Sequence, residues 1–207
     1  TGGNNTAVGA LALESNTVGT NNVAVGQASL FENILGSKSI GVGRGTLQNQ
    51  NYTTATDAFN VAIGHEAGND ITTGRFNNLI GGLAGDALTD GSANVAIGYG
   101  SLSSDTRGLS SVAIGHAALE SQNFTTSTDS FNTAVGKSAG NAVTTGIRNT
   151  IVGAEAGDAL TDADHNVALG FRALSGDTKG SKSIAIGDVA LFSQNFTTST
   201  DAFNVAI

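Results

Sequence analysis

A five-residue motif, Asn94-Val95-Ala96-Ile97-Gly98 in its plainest form, occurs with small changes twelve times in this chain. Its closing glycine falls at Gly9, Gly26, Gly43, Gly64, Gly81, Gly98, Gly115, Gly136, Gly153, Gly170 and Gly187, and the twelfth copy reaches Ile207, the last residue. Successive glycines are 17, 17, 21, 17, 17, 17, 21, 17, 17 and 17 residues apart. A fixed short period constrains the fold more than any local propensity does. Each period is one small unit that cannot bury its own apolar face, so the units must stack.

Aligned on that glycine, the copies share a pattern. The preceding residue is always aliphatic, as in Val25, Ile63 and Leu169; the residue two before is mostly Ala, with Gly41, Leu79 and Ile151 as exceptions; the residue three before is mostly β-branched. Large, small, large is a period of two and predicts a short strand. The expectation is that the large residues face a core and the Ala column faces away. Four before the glycine stands Asn or Ser in every copy, as in Asn22, Ser39, Asn60, Asn77, Asn94 and Ser111. Stacked copies would turn this column into a side-chain ladder; alternatively the Asn simply opens the strand at a turn.

After the glycine, the third residue is always small, and the fourth is Leu or Gly. In the 17-residue copies the eighth is Thr in seven of eight and the tenth is Gly in seven of eight. The second glycine marks a turn needing positive φ or a close backbone approach. Each copy therefore reads as strand, bend, short second strand and turn. Ordering the backbone costs about 1–2 kcal/mol per residue, whereas three or four buried aliphatic side chains return roughly 1.5–3 kcal/mol each. Neighbouring coils must supply the difference. The fold class expected is all-β, a parallel β-solenoid of about 12 coils of 17 or 21 residues. At an inter-strand spacing of roughly 4.8 Å the rod is about 58 Å long.

Composition removes other classes. Gly is 29 of 207 residues and Pro is absent, but glycine does not recur every third position, which excludes collagen. Disorder does not fit a strictly periodic chain that is 39% hydrophobic. The net charge is −8 with nine Lys plus Arg and no basic cluster, so nucleic acid is not an expected partner. Without cysteine there is no disulfide or thiolate chemistry. No apolar run approaches a membrane span and no signal peptide is recognisable, so no membrane insertion is expected of this segment. Both ends fall inside the repeat, and the expectation is a segment of a longer protein.

Three spacings of 17 and one of 21 make a super-repeat of 72 residues, giving residues 1–72, 73–144 and a shorter 145–207 in one continuous solenoid. The first coil departs from the later ones: Leu13 stands where Gly85 and Gly157 stand, and Ala7 where Leu79 and Ile151 stand. The long coils carry Gln50 to Phe59, Ser121 to Phe131 and Ser193 to Phe203, and Ser193 to Asp201 repeats Ser121 to Asp129 identically. Their four extra residues should form a polar loop recurring on one face, packed down by Phe59, Phe131 and Phe203. Such a loop is either a spacer or a periodic binding feature. The candidate interaction residues are Asn51, Tyr52, Thr53, Thr54 and Asp57, then Asn123, Phe124, Thr125, Thr126 and Asp129, then Asn195, Phe196, Thr197, Thr198 and Asp201.

The motif in Ser39-Ile40-Gly41-Val42-Gly43 and Ser183-Ile184-Ala185-Ile186-Gly187 resembles the head repeat of YadA-like trimeric autotransporter adhesins, and Asn21 to Leu30 also resembles repeats of phage tail fibres. The resemblance runs through essentially the whole chain. It implies a left-handed β-roll, a homotrimer of chains packed side by side, exposure outside the cell or virion, and binding of a host-surface receptor or of neighbouring filaments without catalysis. The function expected is a structural and adhesive segment of an extracellular fibre, a cell-surface adhesin or filament, with a tail-fibre shaft as the alternative.

Other chemistry is weaker in the sequence. His65 and His116 follow the repeat glycine in a variable column, and His165 lies at a turn; no catalytic or metal role is expected. Hexapeptide solenoid acyltransferases need an aliphatic residue every six positions, a period absent here. Asp86, Asp90, Asp158, Asp162 and Asp164, with Asp57, Asp129 and Asp201, are oxygen ligands near turns that could hold Ca²⁺, but EF-hand and nonapeptide spacings are missing and solvated turns are the expectation. Neither a cofactor nor an enzyme activity is expected. Asn4, Asn51, Asn123 and Asn195 open glycosylation sequons. Ice binding would want paired Thr on every coil, and only the column eight after the glycine is rich in Thr.

Overall fold

The computed structural model describes residues 2–207; Thr1, which opens the first super-repeat, lies outside them. Among the described residues there is no helix. Twelve strands, from Thr6–Val8 to Val205–Ala206, follow one another in chain order in a single parallel sheet. The register is that of the repeat: Val95, Ala96 and Ile97 lie opposite Val112, Ala113 and Ile114, and the 21-residue steps keep it, with Ile40, Gly41 and Val42 opposite Val61, Ala62 and Ile63. The chain is a parallel β-solenoid of about twelve coils.

The strand is turned the other way round from the expectation. Ala24, Ala62, Ala96, Ala113, Ala134, Ala168 and Ala185 are fully buried, as are Leu79 and Ile151 in the same column. The flanking Val and Ile are half-buried or exposed and form the outer face. The interior of one coil is narrow, and it is filled from the opposite side by the residue four after the glycine: Leu30, Leu47, Leu102, Leu119 and Leu174 are all fully buried. Opposed Leu and Val side chains in one layer would overfill that space, whereas Leu opposite Ala fits.

Two kinds of core layer follow from this. Where the fourth residue is Leu, the seventh is polar and buried, as in Asn33, Gln50, Asp105, Gln122 and Asp177. Where the fourth is Gly, the seventh is Ile71, Leu88, Val143 or Leu160, all fully buried. In the Gly layers a larger strand residue reaches across: a Cβ on Gly68 or Gly85 would stand 2.7 or 2.9 Å from Leu79, and one on Gly140 2.9 Å from Ile151. The irregular first coil obeys the same rule, since Ala7, Leu13 and Asn16 change together relative to Leu79, Gly85 and Leu88.

The Asn column is a ladder between amide side chains and backbone. Asn77 Oδ1 accepts the Asn94 backbone N–H at 3.0 Å, and Asn94 Oδ1 accepts that of Ser111 at 2.9 Å. Before the last coil each Nδ2 donates to a carbonyl on the far side of its own coil, Asn94 to Gly108 at 2.9 Å, whereas that of Asn204 donates to Gln194. Where Ser replaces Asn before a long coil, a buried Gln takes over: Gln50 bonds Ser39 and accepts from Asn60 at 2.9 Å. The closing glycine serves the same stacking. Gly98 has φ of 130°, and a Cβ there would lie 2.5 Å from the Gly115 carbonyl oxygen. Sharp corners are made by non-glycine residues too: 28 of them have positive φ, at five before, two after and four after the glycine. These corners are strained at about 1 kcal/mol or more each, a cost only stacking offsets.

Candidate functional site

The long coils are where the cross-section departs from regularity. Each loop is tied down by a two-residue parallel pairing to the coil before: Thr56–Asp57 on Gly36–Ser37, Thr128–Asp129 on Gly108–Leu109, and Thr200–Asp201 on Gly180–Ser181. The loop anchor is not the expected Phe. Phe59, Phe131 and Phe203 are half exposed or more and point away from the rod. Tyr52 and Phe124, seven residues earlier, are buried instead, and Phe196 is half-buried in the last coil. Along Thr56-Asp57-Ala58-Phe59 the side chains alternate, and Ala58 takes the inward place.

Of the candidate interaction residues, Tyr52 and Phe124 therefore belong to the interior. The Tyr52 hydroxyl donates to the Gly74 carbonyl at 2.7 Å, and burial pushes the phenol pKa well up. Asn123 and Asn195 are exposed, but their side-chain oxygens accept from Thr106 and Thr178; Asn51 is half-buried. Thr53, Thr54, Thr125, Thr126, Thr197 and Thr198 are exposed at the bends. Asp57, Asp129 and Asp201 are exposed at the end of each loop, and Asp57 and Asp201 pair with Lys38 and Lys182 at 2.7 and 2.6 Å.

Sequence reasoning missed the partners of the first loop. Arg75, from the next coil, donates through Nε and Nη2 to the Asp57 carbonyl at 3.1 and 2.8 Å. Ser37, Ala55, Thr56, Asp57 and Arg75 line an open notch of about 410 Å³. Beside it Phe59 and Phe76 stack with centroids 5.9 Å apart, under Lys38 and Arg75 at 5.0 and 4.7 Å. Phe76 stands in the column of Phe59, one coil on, which is the signal that could have linked them.

Elsewhere the polar groups serve the stack. Asp105 is buried without a cation; it accepts from Gln122 and from the Gly108 and Phe124 backbone N–H groups, and burial raises its pKa. Asp90 and Asp162 face Arg107 and Lys179 at 3.4 and 3.5 Å. Among the described residues no group of three or more His, Asp and Glu is placed to hold a metal ion. His116 stacks on Tyr99 and His65 sits beside Arg44 and Glu66. The Thr column does not offer free hydroxyls in rank: Thr72, Thr89, Thr144 and Thr161 donate to a carbonyl of the next coil at 3.0–3.2 Å.

No family model, no curated protein and no solved structure matches the chain.

Proposed function

We propose that this chain is a non-enzymatic structural and adhesive segment of an extracellular fibre, in which copies pack side by side through the outer face of the twelve-stranded sheet. The observation that carries the reading is the character of that face. The outward column next to the glycine is aliphatic in all twelve coils, from Val8 to Ile207. The other outward column is Val or Ile in eight of twelve, broken only by Thr6, Asn78, Thr133 and Thr150. Parallel sheets are ordinarily covered on both faces, and here the inside is covered by the coil itself while the outside is bare. Charged and aromatic residues such as Arg44, Lys137, Arg148 and Phe131 flank the stripe, as a polar rim flanks an apolar interface.

A homotrimer, the arrangement the resemblance to adhesin heads implies, closes three such faces around one axis. The long-coil bends, recurring every four coils, are then the periodic feature offered to a host-surface receptor or to neighbouring filaments. Sedimentation equilibrium tests the assembly. The expected mass is about three times the 20.6 kDa of one chain. Paired Val95→Glu and Ile114→Glu substitutions should return monomers that keep the β-sheet circular dichroism. A wild-type chain that stays monomeric at high micromolar concentration would overturn the side-by-side reading.

A further inference from the structure

We propose that the notch beside the first long loop binds an acidic saccharide, with Arg75 receiving the carboxylate. The site rests on the reading of the chain as a surface-binding fibre segment, and it deepens that reading by naming a ligand class. Lys38 and Arg75 against Asp57 leave one net positive charge at this spot on a chain of net charge −8. Two of the Arg75 nitrogens are held by the Asp57 carbonyl, which fixes the guanidinium while Nη1 has no partner among the described residues. A planar guanidinium fixed in this way suits a carboxylate. Phe59 and Phe76, 46% and 47% exposed, give the C–H face of a sugar ring the apolar edges of their stacked rings to lie against. The Thr56 hydroxyl, which donates to the Thr54 carbonyl, and the Asp57 carboxylate supply acceptors for sugar hydroxyls at the lip of the 410 Å³ notch. The parallel pairing of Thr56–Asp57 on Gly36–Ser37 holds these groups in place before any ligand arrives.

The chain contains its own control. In the second super-repeat the positions of Lys38, Arg75 and Phe76 are held by Ser110, Ile147 and Arg148, while Asp129 and Phe131 are kept. That loop has the same backbone pairing without the cation arrangement.

The test titrates the intact chain with methyl glucuronide, methyl glucoside and sodium acetate, by saturation-transfer NMR and calorimetry. Expected is one glucuronide site per chain, with the glucoside and acetate each at least tenfold weaker. Arg75→Ile, the residue found naturally at 147, should lower glucuronide affinity at least tenfold with an unchanged melting temperature. Ser110→Lys/Ile147→Arg/Arg148→Phe should raise the stoichiometry from one to two. The proposal is overturned by no glucuronide uptake, by acetate or glucoside binding equally well, or by unaltered affinity in Arg75→Ile. If the trimer forms but glucuronide is not taken up, the site falls and the fibre reading stands; if the chain remains monomeric, the fibre reading falls whatever the titration shows.

Discussion

The two kinds of core layer can be tested against each other at Leu79 and Gly85. Leu79→Ala removes three carbon atoms, about 2.4 kcal/mol at roughly 0.8 kcal/mol each. Gly68 and Gly85 flank the vacated space and have no side chain to fill it. If about 50 Å³ stays empty, a further 1.2 kcal/mol or so is lost, for a total near 3.5 kcal/mol. Gly85→Leu alone should also destabilise, by about 1–3 kcal/mol, because its Cβ would lie 2.9 Å from both Leu79 and Leu88. Its backbone is no obstacle, since Gly85 has φ of 56° and Leu30 and Leu102 hold 52° and 54° at the same place in their coils. Together the two changes approach the Ala7 and Leu13 pairing of the first coil. The double variant should therefore be at least about 2 kcal/mol more stable than the sum of the single losses, a coupling of the size seen between residues sharing one space. Guanidinium melts followed by far-ultraviolet circular dichroism suit a chain without tryptophan. Strictly additive losses would refute the idea that these positions fill one volume.

Asn94→Ala deletes the acceptor of the Ser111 N–H and the donor to the Gly108 carbonyl; leaving both buried groups unpaired should cost about 2–4 kcal/mol, with hydrogen exchange at Ser111 accelerated first. Ala93, exposed with φ of 59°, occupies a corner where Asn4 and Asn21 stand in other coils; Ala93→Asn should stabilise by up to about 1 kcal/mol, read as a raised melting temperature. Burial, with Asp70 and Glu66 nearby, raises the Asp86 carboxyl to about 6 from 3.8. The folded state then holds the proton more tightly than the unfolded state does, so this group's contribution to stability is greatest below about pH 4 and declines as pH rises through 6. Asp86 is half-buried, so solvent screens part of the effect, and Asp86→Asn should flatten that part of the melting-temperature profile.

The stacking was legible in the sequence because it depends on period alone. Eleven closing glycines in register require that Ile97 lie beside Ile114, and they do. The buried Asn column was likewise legible as a ladder, although its bonds run mainly from amide to backbone, with amide-to-amide bonds added from Asn77 to Asn60 and from Asn149 to Asn132. The long coils were visible as insertions, but not the residues that seat them, because either Tyr52 or Phe59 could have been the anchor until the parity of Thr56-Asp57-Ala58-Phe59 was fixed. Phe76 could be set beside Phe59 from the repeat register alone, but no pattern in the sequence brings the Arg75 guanidinium to the Asp57 carbonyl across the coil boundary.

The sequence determined the alternation of each strand but not its sign. Val-Ala-Ile reads equally well with either face inward. What decided it is the width of the coil: Leu or Ile enters from one wall, and the facing wall has room for little more than Ala. That constraint is a property of the closed cross-section, set by three left-handed corners per coil, and it exists only once the chain has turned back upon itself.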